Sequence, residues 1–375
     1  MRPTVLISLA ACALVLSAAL GCGGELPEAV RQPLLVVPAG ARAVVLADIA
    51  SSRQMDTFIN IEHFLQDQDT DREYRGMLPF DYQEFVDHWR LDPLRDVDQV
   101  VLALYDDGWL VAMVGKFDSD HMIGVLREEG ELAELSVRPG TEERESYPMA
   151  EVEARGQGLF AAVVNPLMRY LGEAGSALRV LSGSPQADRR TLIAWPSENI
   201  MVVSDNRSRM GYTLDLWENV PGESLLDEPG FGDLYESRPH SAPVWVGFPR
   251  TFGFTAPLST LQIELDIRDF FTPKLILGYE TQENAETSMS GVERAVRTAG
   301  DWLATFPELV RDPFARDDPL INWVSRWELA DIFARVGPLL SAVLIKEAQV
   351  IEIEMPLEID EFKRIFAALA QEVVR

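Results

Sequence analysis

The segment VVLALYDDGWLVAMV, residues 100–114, has two apolar runs on either side of the residues DDG. An Asp-Gly pair between two apolar runs is typical of a β-hairpin, because glycine readily adopts the positive φ angle that the turn requires. The two strands are predicted at Val100–Tyr105 and Trp109–Val114. We expect a helix to follow at about Ser119–Glu129, which gives the order strand, strand, helix.

The same order recurs near the middle of the chain. Two apolar runs, Thr191–Trp195 and Ile200–Val203, predict strands on either side of the turn-forming segment PSEN. A helix is predicted directly afterwards, at Asn206–Trp217. Earlier in the chain, Ala43–Asp48 predicts a further short apolar strand.

The order appears once more towards the C-terminus. In residues 261–268 apolar and polar residues alternate, which is the pattern of a strand with one face in water. Leu275–Tyr279 predicts the second strand, and a long helix follows. The apolar residues of this helix are Ala285, Met289, Val292, Val296, Ala299, Leu303 and Phe306. Their spacing forms one apolar stripe, which we expect to cover the sheet made by these two strands.

These patterns predict the class of fold. Alternation at residues 351–355 and an amphipathic helix at 359–373 complete the series. We predict an α+β fold in which antiparallel sheets are built from repeated strand-strand-helix units, each sheet being covered by helices on one face. A chain of 375 residues is long enough for two domains. Proline and glycine cluster between Pro249 and Pro257, so we predict an N-terminal domain at 34–250 and a C-terminal domain at 256–375.

The N-terminal residues have the composition of an export signal. Arg2 precedes an uncharged apolar run, Val5–Leu20. The residues Ala19-Leu20-Gly21-Cys22 resemble the lipobox of bacterial lipoproteins, in which the cysteine is diacylated before the signal is cleaved. Two other interpretations fit the same run. Ordinary secretory cleavage would release a soluble protein, and Val5–Cys22 is just long enough for an uncleaved membrane helix.

The cysteine count favours the lipoprotein interpretation. The chain has two cysteines, and Cys12 lies inside the segment that cleavage would remove. Cys22 would then be the first residue of a mature chain that can form no internal disulfide in an oxidising compartment. We therefore predict a signal peptide at 1–21, lipid attachment (acyl chains such as palmitate) at Cys22, and a lipid-anchored tether at 22–33.

The resemblance to lipoproteins also implies a location. In that family an aspartate directly after the cysteine retains the protein at the inner membrane. This chain has Gly23 there, which implies the outer membrane. The expectation is a cell-envelope protein, exposed to the periplasm or the outside, whose contact with the membrane is made by its N-terminal lipid.

The charge of the chain excludes one class of partner. Its formal net charge is −27. Such a surface repels nucleic acid backbones and anionic lipid headgroups. We therefore predict no nucleic acid partner, and the expected partner is an envelope protein.

Candidate acidic motifs are incomplete. The loop at 67–78 begins with alternate aspartates, as a calcium loop does, but it has Arg72 and Leu78 where that motif needs glycine and glutamate. A solvated acidic loop is the preferred interpretation. Asp118 and Asp120 stand at the start of a predicted helix, where capping and the helix dipole explain them.

The other candidate motifs are weaker. The four histidines, at 63, 88, 121 and 240, have no metal-ligand spacing. The serine-containing segments 181–186 and 288–293 lack the glycine pattern of a nucleophile elbow. Aromatic residues in WVGFPRTFGF (245–254), with Trp323 and Trp327, could stack on a sugar or an apolar ligand, but packing in the core is the preferred interpretation.

We therefore predict no catalytic, metal-binding or cofactor-binding residue, and Cys22 is the one predicted site. The expected function is a lipid-anchored, non-catalytic binding or scaffolding role at the cell envelope. The alternative is an envelope hydrolase that uses carboxylates from distant loops. A solute-capture protein would need doubly wound α/β lobes, whereas these strands predict α+β.

Overall fold

The computed structural model describes residues 31–53, 82–139, 146–153, 190–228, 231, 235, 244–248, 258–266, 272–312, 319–326, 328–345, 349–355, 357–358, 361 and 364–365. The fold of these residues is α+β, with antiparallel sheet throughout. The described residues up to Phe248 form one compact unit, and those from Leu258 onward form a second. Arg31, Gln32 and Pro33, the last residues of the predicted tether, belong to the first helix.

The first unit is built on one antiparallel sheet. Its described strands are β1 (Ala43–Asp48), β2 (Val97–Tyr105), β3 (Gly108–Gly115), β4 (Leu132–Arg138), β5 (Tyr147–Glu153), β6 (Arg190–Ser197), β7 (Ile200–Ser204) and β8 (Val244–Phe248). They follow the order β8-β1-β2-β3-β7-β6-β5-β4. Its helices are α1 (Arg31–Leu35), α2 (Ile49–Ser52), α3 (Tyr82–Trp89), α4 (Ser119–Glu128) and α5 (Arg207–Trp217).

The predicted hairpin is confirmed. Strands β2 and β3 pair as far as Tyr105 and Gly108, and Asp106 and Asp107 form the turn. Gly108 has φ +152°, and a Cβ at this position would overlap the carboxylate of Asp205. That carboxylate accepts a hydrogen bond of 2.8 Å from the backbone N–H of Trp109. The turn therefore needs glycine partly for close approach of a side chain from the start of α5.

The centre of the first sheet is buried on both faces. All six residues of β1 are buried. One face packs against Leu34 of α1 and against Met210 and Leu214 of α5 in a single apolar cluster. Val45 and Leu102, which belong to the other face of the sheet, are buried as well. Both faces are covered because apolar residues occupy consecutive positions of β1.

The second unit has a smaller sheet. Its described strands are β9 (Leu258–Asp266), β10 (Thr272–Tyr279), β11 (Ser341–Ile345) and β12 (Val350–Glu354), in the antiparallel order β11-β12-β10-β9. Its described helices are α6 (Gln282–Ala304), α7 (Phe306–Leu309), α8 (Pro319–Arg326) and α9 (Ala330–Val336).

The long predicted helix packs on the second sheet, but not where its position in the sequence suggested. Helix α6 contacts β10, β11 and β12, whereas the prediction placed it over β9 and β10. The difference arises because β12 pairs beside β10 and brings β11 with it. Ala285 and Val296 of α6 are buried, as predicted.

One position of the predicted stripe is wrong. Ala299 is exposed and Gly300 is buried in its place. A Cβ on Gly300 would lie 2.5 Å from the carbonyl oxygen of Gly337. The two backbones therefore approach closely at this point, and glycine permits that approach.

The predicted wet face of β9 is also wrong at two positions. Gln262 and Glu264 are only 5% and 4% exposed. Glu264 pairs across the sheet with Lys274 of β10, and the Lys274 ammonium lies 2.7 Å from a carboxylate oxygen of Glu354 on β12. Glu264, Lys274 and Glu354 thus occupy neighbouring positions on three adjacent strands. A buried charge is tolerated when an opposite charge lies next to it. Alternation in sequence shows which residues are polar, but not which of them find partners.

Three helices that follow hairpins begin with the same kind of cap. The side chains of Asp118, Asn206 and Thr281 accept hydrogen bonds from the backbone N–H three residues further on, at distances of 3.0, 3.0 and 3.2 Å. These helices are α4, α5 and α6. The prediction that Asp118 serves as a cap is confirmed.

Replacing Thr281 by alanine is expected to lower the free energy of unfolding by about 1 kcal/mol, because the N–H of Asn284 loses its acceptor. Thr281→Ser keeps the hydroxyl and should retain most of the stability. Urea denaturation of both variants measures the difference. Equal losses in the two variants would contradict the role of the hydroxyl.

Candidate functional site

Several residues singled out in the sequence lie outside the described part of the chain. These are Cys22, the acidic loop at 67–78, the serine segment at 181–186, two of the histidines (His63 and His240), and the aromatic candidates Phe252, Phe254, Trp327 and the side chain of Trp323. The lipid-attachment prediction at Cys22 and the solvated-loop interpretation therefore stay predictions. The second serine segment, 288–293, lies within α6.

The two described histidines lie close together. The Nε2 atom of His121 is 2.8 Å from the backbone oxygen of His88, and Nε2 of His88 is 3.0 Å from a carboxylate oxygen of Glu129. These contacts join α3 to the first turn of α4 and to its C-terminal cap, Glu129. Within the described ranges, no group of three histidine, cysteine or acidic side chains could hold a metal ion.

The aromatic residues of the segment 245–254 that the structure describes belong to the core. Trp245 and Phe248 are buried, and the ring of Trp245 packs edge-on against those of Phe231 and Tyr235. An exposed aromatic residue occurs elsewhere, at Trp302 on α6. The centre of its ring lies 4.8 Å from that of Phe306, so the Trp302 ring packs partly within the second unit.

Strand β4 is the candidate binding surface. It stands last in the first sheet, and among the described strands it pairs with β5 alone. On its apolar face, Leu135 and Val137 are 41% and 66% exposed. An edge strand with exposed apolar side chains is a ready template for pairing with another chain, because every second residue directs its N–H and C=O outwards.

The other face of β4 carries charged residues that tie it to α5. At one end Arg207, the first residue of α5, forms an ion pair with the buried Glu151 and lies 3.9 Å from Glu134. Arginine at a helix N-terminus is unfavourable for the helix dipole. The carboxylates of β4 and β5 therefore compensate a charge that α5 would not hold well by itself.

At the other end the charges are reversed. Arg138 of β4 donates hydrogen bonds of 2.7 Å to Glu218 and 2.5 Å to Asp215, both at the C-terminal end of α5. The hydroxyl of the buried Tyr147 donates to the same carboxylate of Glu218, at 2.5 Å. Acids at a helix C-terminus are again unfavourable for the dipole, and Arg138 compensates them.

The pKa values of Arg138 and Tyr147 indicate that this cluster has a structural role. Burial would lower the pKa of Arg138, but its hydrogen bonds to Glu218 and Asp215 outweigh burial and raise that pKa. Burial, and then the hydrogen bond to Glu218, raise the pKa of Tyr147 well above its ordinary value. Both groups therefore keep one protonation state at neutral pH. The cluster holds β4 against α5 and leaves the outer edge of the strand for binding.

The sequence pattern did not reveal this strand. A β-bulge between Leu132 and Glu134 shifts the register with β5, so apolar and polar residues of β4 do not alternate along its whole length. The alternation that remains runs from Ala133 to Arg138. No helix in the described ranges is long and apolar enough to cross a bilayer. Comparison with protein-family models, with curated proteins and with solved structures finds no match for this chain.

Proposed function

We propose that this chain is a lipid-anchored protein of the cell envelope, on the outer membrane, that binds a partner protein and has a non-catalytic, scaffolding role. The observation that carries the binding role is the exposed apolar pair Leu135 and Val137 at the outer edge of β4. A strand of a second polypeptide is the ligand that suits this edge best. Such a strand can cover the apolar side chains and can also form hydrogen bonds with the backbone groups that point outwards.

The acidic side chains that the structure describes near this edge form ion pairs and hydrogen bonds within the fold. These contacts support a structural role for them. Glu151 is paired with Arg207, and Glu218 is bonded to both Arg138 and Tyr147. Each of these carboxylates therefore has a basic partner. The high acidity of the chain further supports a partner other than nucleic acid.

The anchoring part of the proposal rests on Cys22. Two or more acyl chains give stable membrane attachment, where one chain is marginal. Gly23 in place of aspartate supports the outer membrane. Membrane contact would then be made by the lipid, since the acidic surface repels anionic headgroups.

Replacing Cys22 by alanine is expected to abolish acylation completely, because the sulfur atom that carries the lipid is removed. Mass spectrometry of the N-terminal peptide should show a chain that begins at an acylated Cys22 in the original protein and no acylated peptide in the variant. Cys12→Ala is the matched control and should be processed normally, since this residue lies in the discarded signal. An intact Met1, or an unmodified Cys22, in the original protein would refute the proposed anchor.

We also propose that the three hairpin-helix successions, β2–β3–α4, β6–β7–α5 and β9–β10–α6, are one structural unit used three times. Two features support this: the order of elements is the same, and each helix starts from a polar cap two or three residues after its hairpin. Hydrogen exchange tests it, since each hairpin should exchange together with its own helix.

A further inference from the structure

We infer that the occupant of the β4 edge is a second copy of this chain, bound as an antiparallel β4–β4 pair centred on Ser136. This inference rests on the proposed binding role of β4 and names the partner. In a symmetric antiparallel pair, residues whose numbers are equally far from the centre stand opposite each other.

The sequence of β4 is complementary to itself in this register. Residues 134–138 read Glu-Leu-Ser-Val-Arg. Pairing about Ser136 places Leu135 opposite Val137 of the second copy, and Glu134 opposite Arg138. Apolar pairs and pairs of opposite charge directly across two strands both stabilise a sheet. Centring the pair one residue away, on Leu135 or Val137, still brings apolar residues together, but it places Glu134 or Arg138 opposite Ser136 and so loses the charged match.

The exposure of these side chains fits the pairing. Leu135 and Val137 lie on one face of β4 and are its exposed large apolar residues, so each would contact the other in the pair. The Glu134 side chain is 64% exposed. The hydrogen bonds of Arg138 to Glu218 and Asp215 use Nε and Nη2, which leaves Nη1 as the donor that we assign to Glu134 of the second copy.

The apolar pairs supply affinity, and the charged pairs set the register. Asp215 and Glu218 beside Arg138 reduce the attraction that Glu134 of the second copy would feel, so this pair adds little affinity. The formal charge of −27 also opposes association at long range. Charges more than about 8 Å apart are screened at physiological ionic strength. Attachment of both copies to one membrane would raise their effective concentration.

The register can be tested with single cysteines in the full-length protein, in membranes of cells that express it. Opposed Cα atoms in antiparallel strands lie about 4.5–5.5 Å apart, which is within reach of a disulfide. Ser136→Cys is therefore expected to form a disulfide-linked dimer with itself on mild oxidation. The original chain and Val220→Cys, an exposed position outside β4, are the controls and should stay monomeric.

Mixed variants test the pairing more stringently. Two differently tagged chains, Leu135→Cys and Val137→Cys, should cross-link to each other when they are expressed together, and much less to themselves, because like positions lie on a diagonal. Adding Val137→Lys to Ser136→Cys should reduce the dimer about tenfold, since a lysine would then face Leu135. Val137 is exposed and Ser136 is half-buried, so a melting curve of each variant checks that the fold is kept.

Three results would overturn the inference. They are a yield for Ser136→Cys no greater than that for Val220→Cys, cross-linking of Leu135→Cys to itself as readily as to Val137→Cys, and cross-linking of Ser136→Cys to a chain of different mass. The last result would leave the proposed binding role of β4 standing with another partner. The lipid anchor is tested independently by Cys22→Ala.

Discussion

Replacing Val296 by aspartate is expected to unfold the second unit, with a loss of roughly 3 kcal/mol or more in the free energy of unfolding. Val296 is 8% exposed and lies on the face of α6 that packs on β10, β11 and β12. A carboxylate there would be largely removed from water. Circular dichroism melts of the full chain measure the effect.

Two control positions on the same helix separate packing from charge. Glu293→Ala, on the exposed side, should cost less than about 0.5 kcal/mol. Ala299→Asp introduces the same carboxylate one turn away and should cost little as well, since Ala299 is exposed. If Val296→Asp melted like Ala299→Asp, the buried stripe would have to be reinterpreted as a docking face for a partner.

Local patterns in the sequence were sufficient to locate many elements. The strand at Ala43–Asp48 and the hairpin of β2 and β3 follow from apolar runs and turn residues, which act over a few positions. The helix of Asp118 likewise follows from a cap and an amphipathic period. These features depend on neighbours along the chain, so one sequence contains the information.

The features that sequence reasoning missed depend on contacts between distant segments. Ala299 and Gly300 exchange roles because Gly337 approaches the helix from further along the chain. The buried Glu264 stands opposite Lys274, a position that only strand pairing creates. The candidate site at β4 was missed for the same reason, since an edge exists only once the order of strands in the sheet is known.

The second large effect is expected at Arg209, on the third residue of α5. Its side chain is 8% exposed and forms an ion pair with Asp107 in the turn of the β2–β3 hairpin. The guanidinium lies 3.9 Å from the centre of the Tyr105 ring, and Nη1 is 3.8 Å from Asp205. Tyr105 in turn donates a hydrogen bond of 2.8 Å to the carbonyl oxygen of Pro38. One buried cation thus joins the hairpin turn, the start of α5 and the segment before β1.

Replacing Arg209 by methionine is therefore expected to lower the free energy of unfolding by roughly 3 kcal/mol, because the side chain of Asp205 stays buried after its cationic neighbour is lost. Arg209→Lys should lie in between, since an ammonium keeps the charge but cannot present two donors in a plane over the tyrosine ring. Arg95→Met removes an exposed arginine of the same unit, paired with Asp92, and should cost less than about 1 kcal/mol. Urea denaturation followed by tryptophan fluorescence gives the three values. Similar losses for Arg209→Met and Arg95→Met would show that packing of the aliphatic stem, and not the buried charge, accounts for the contribution of this residue.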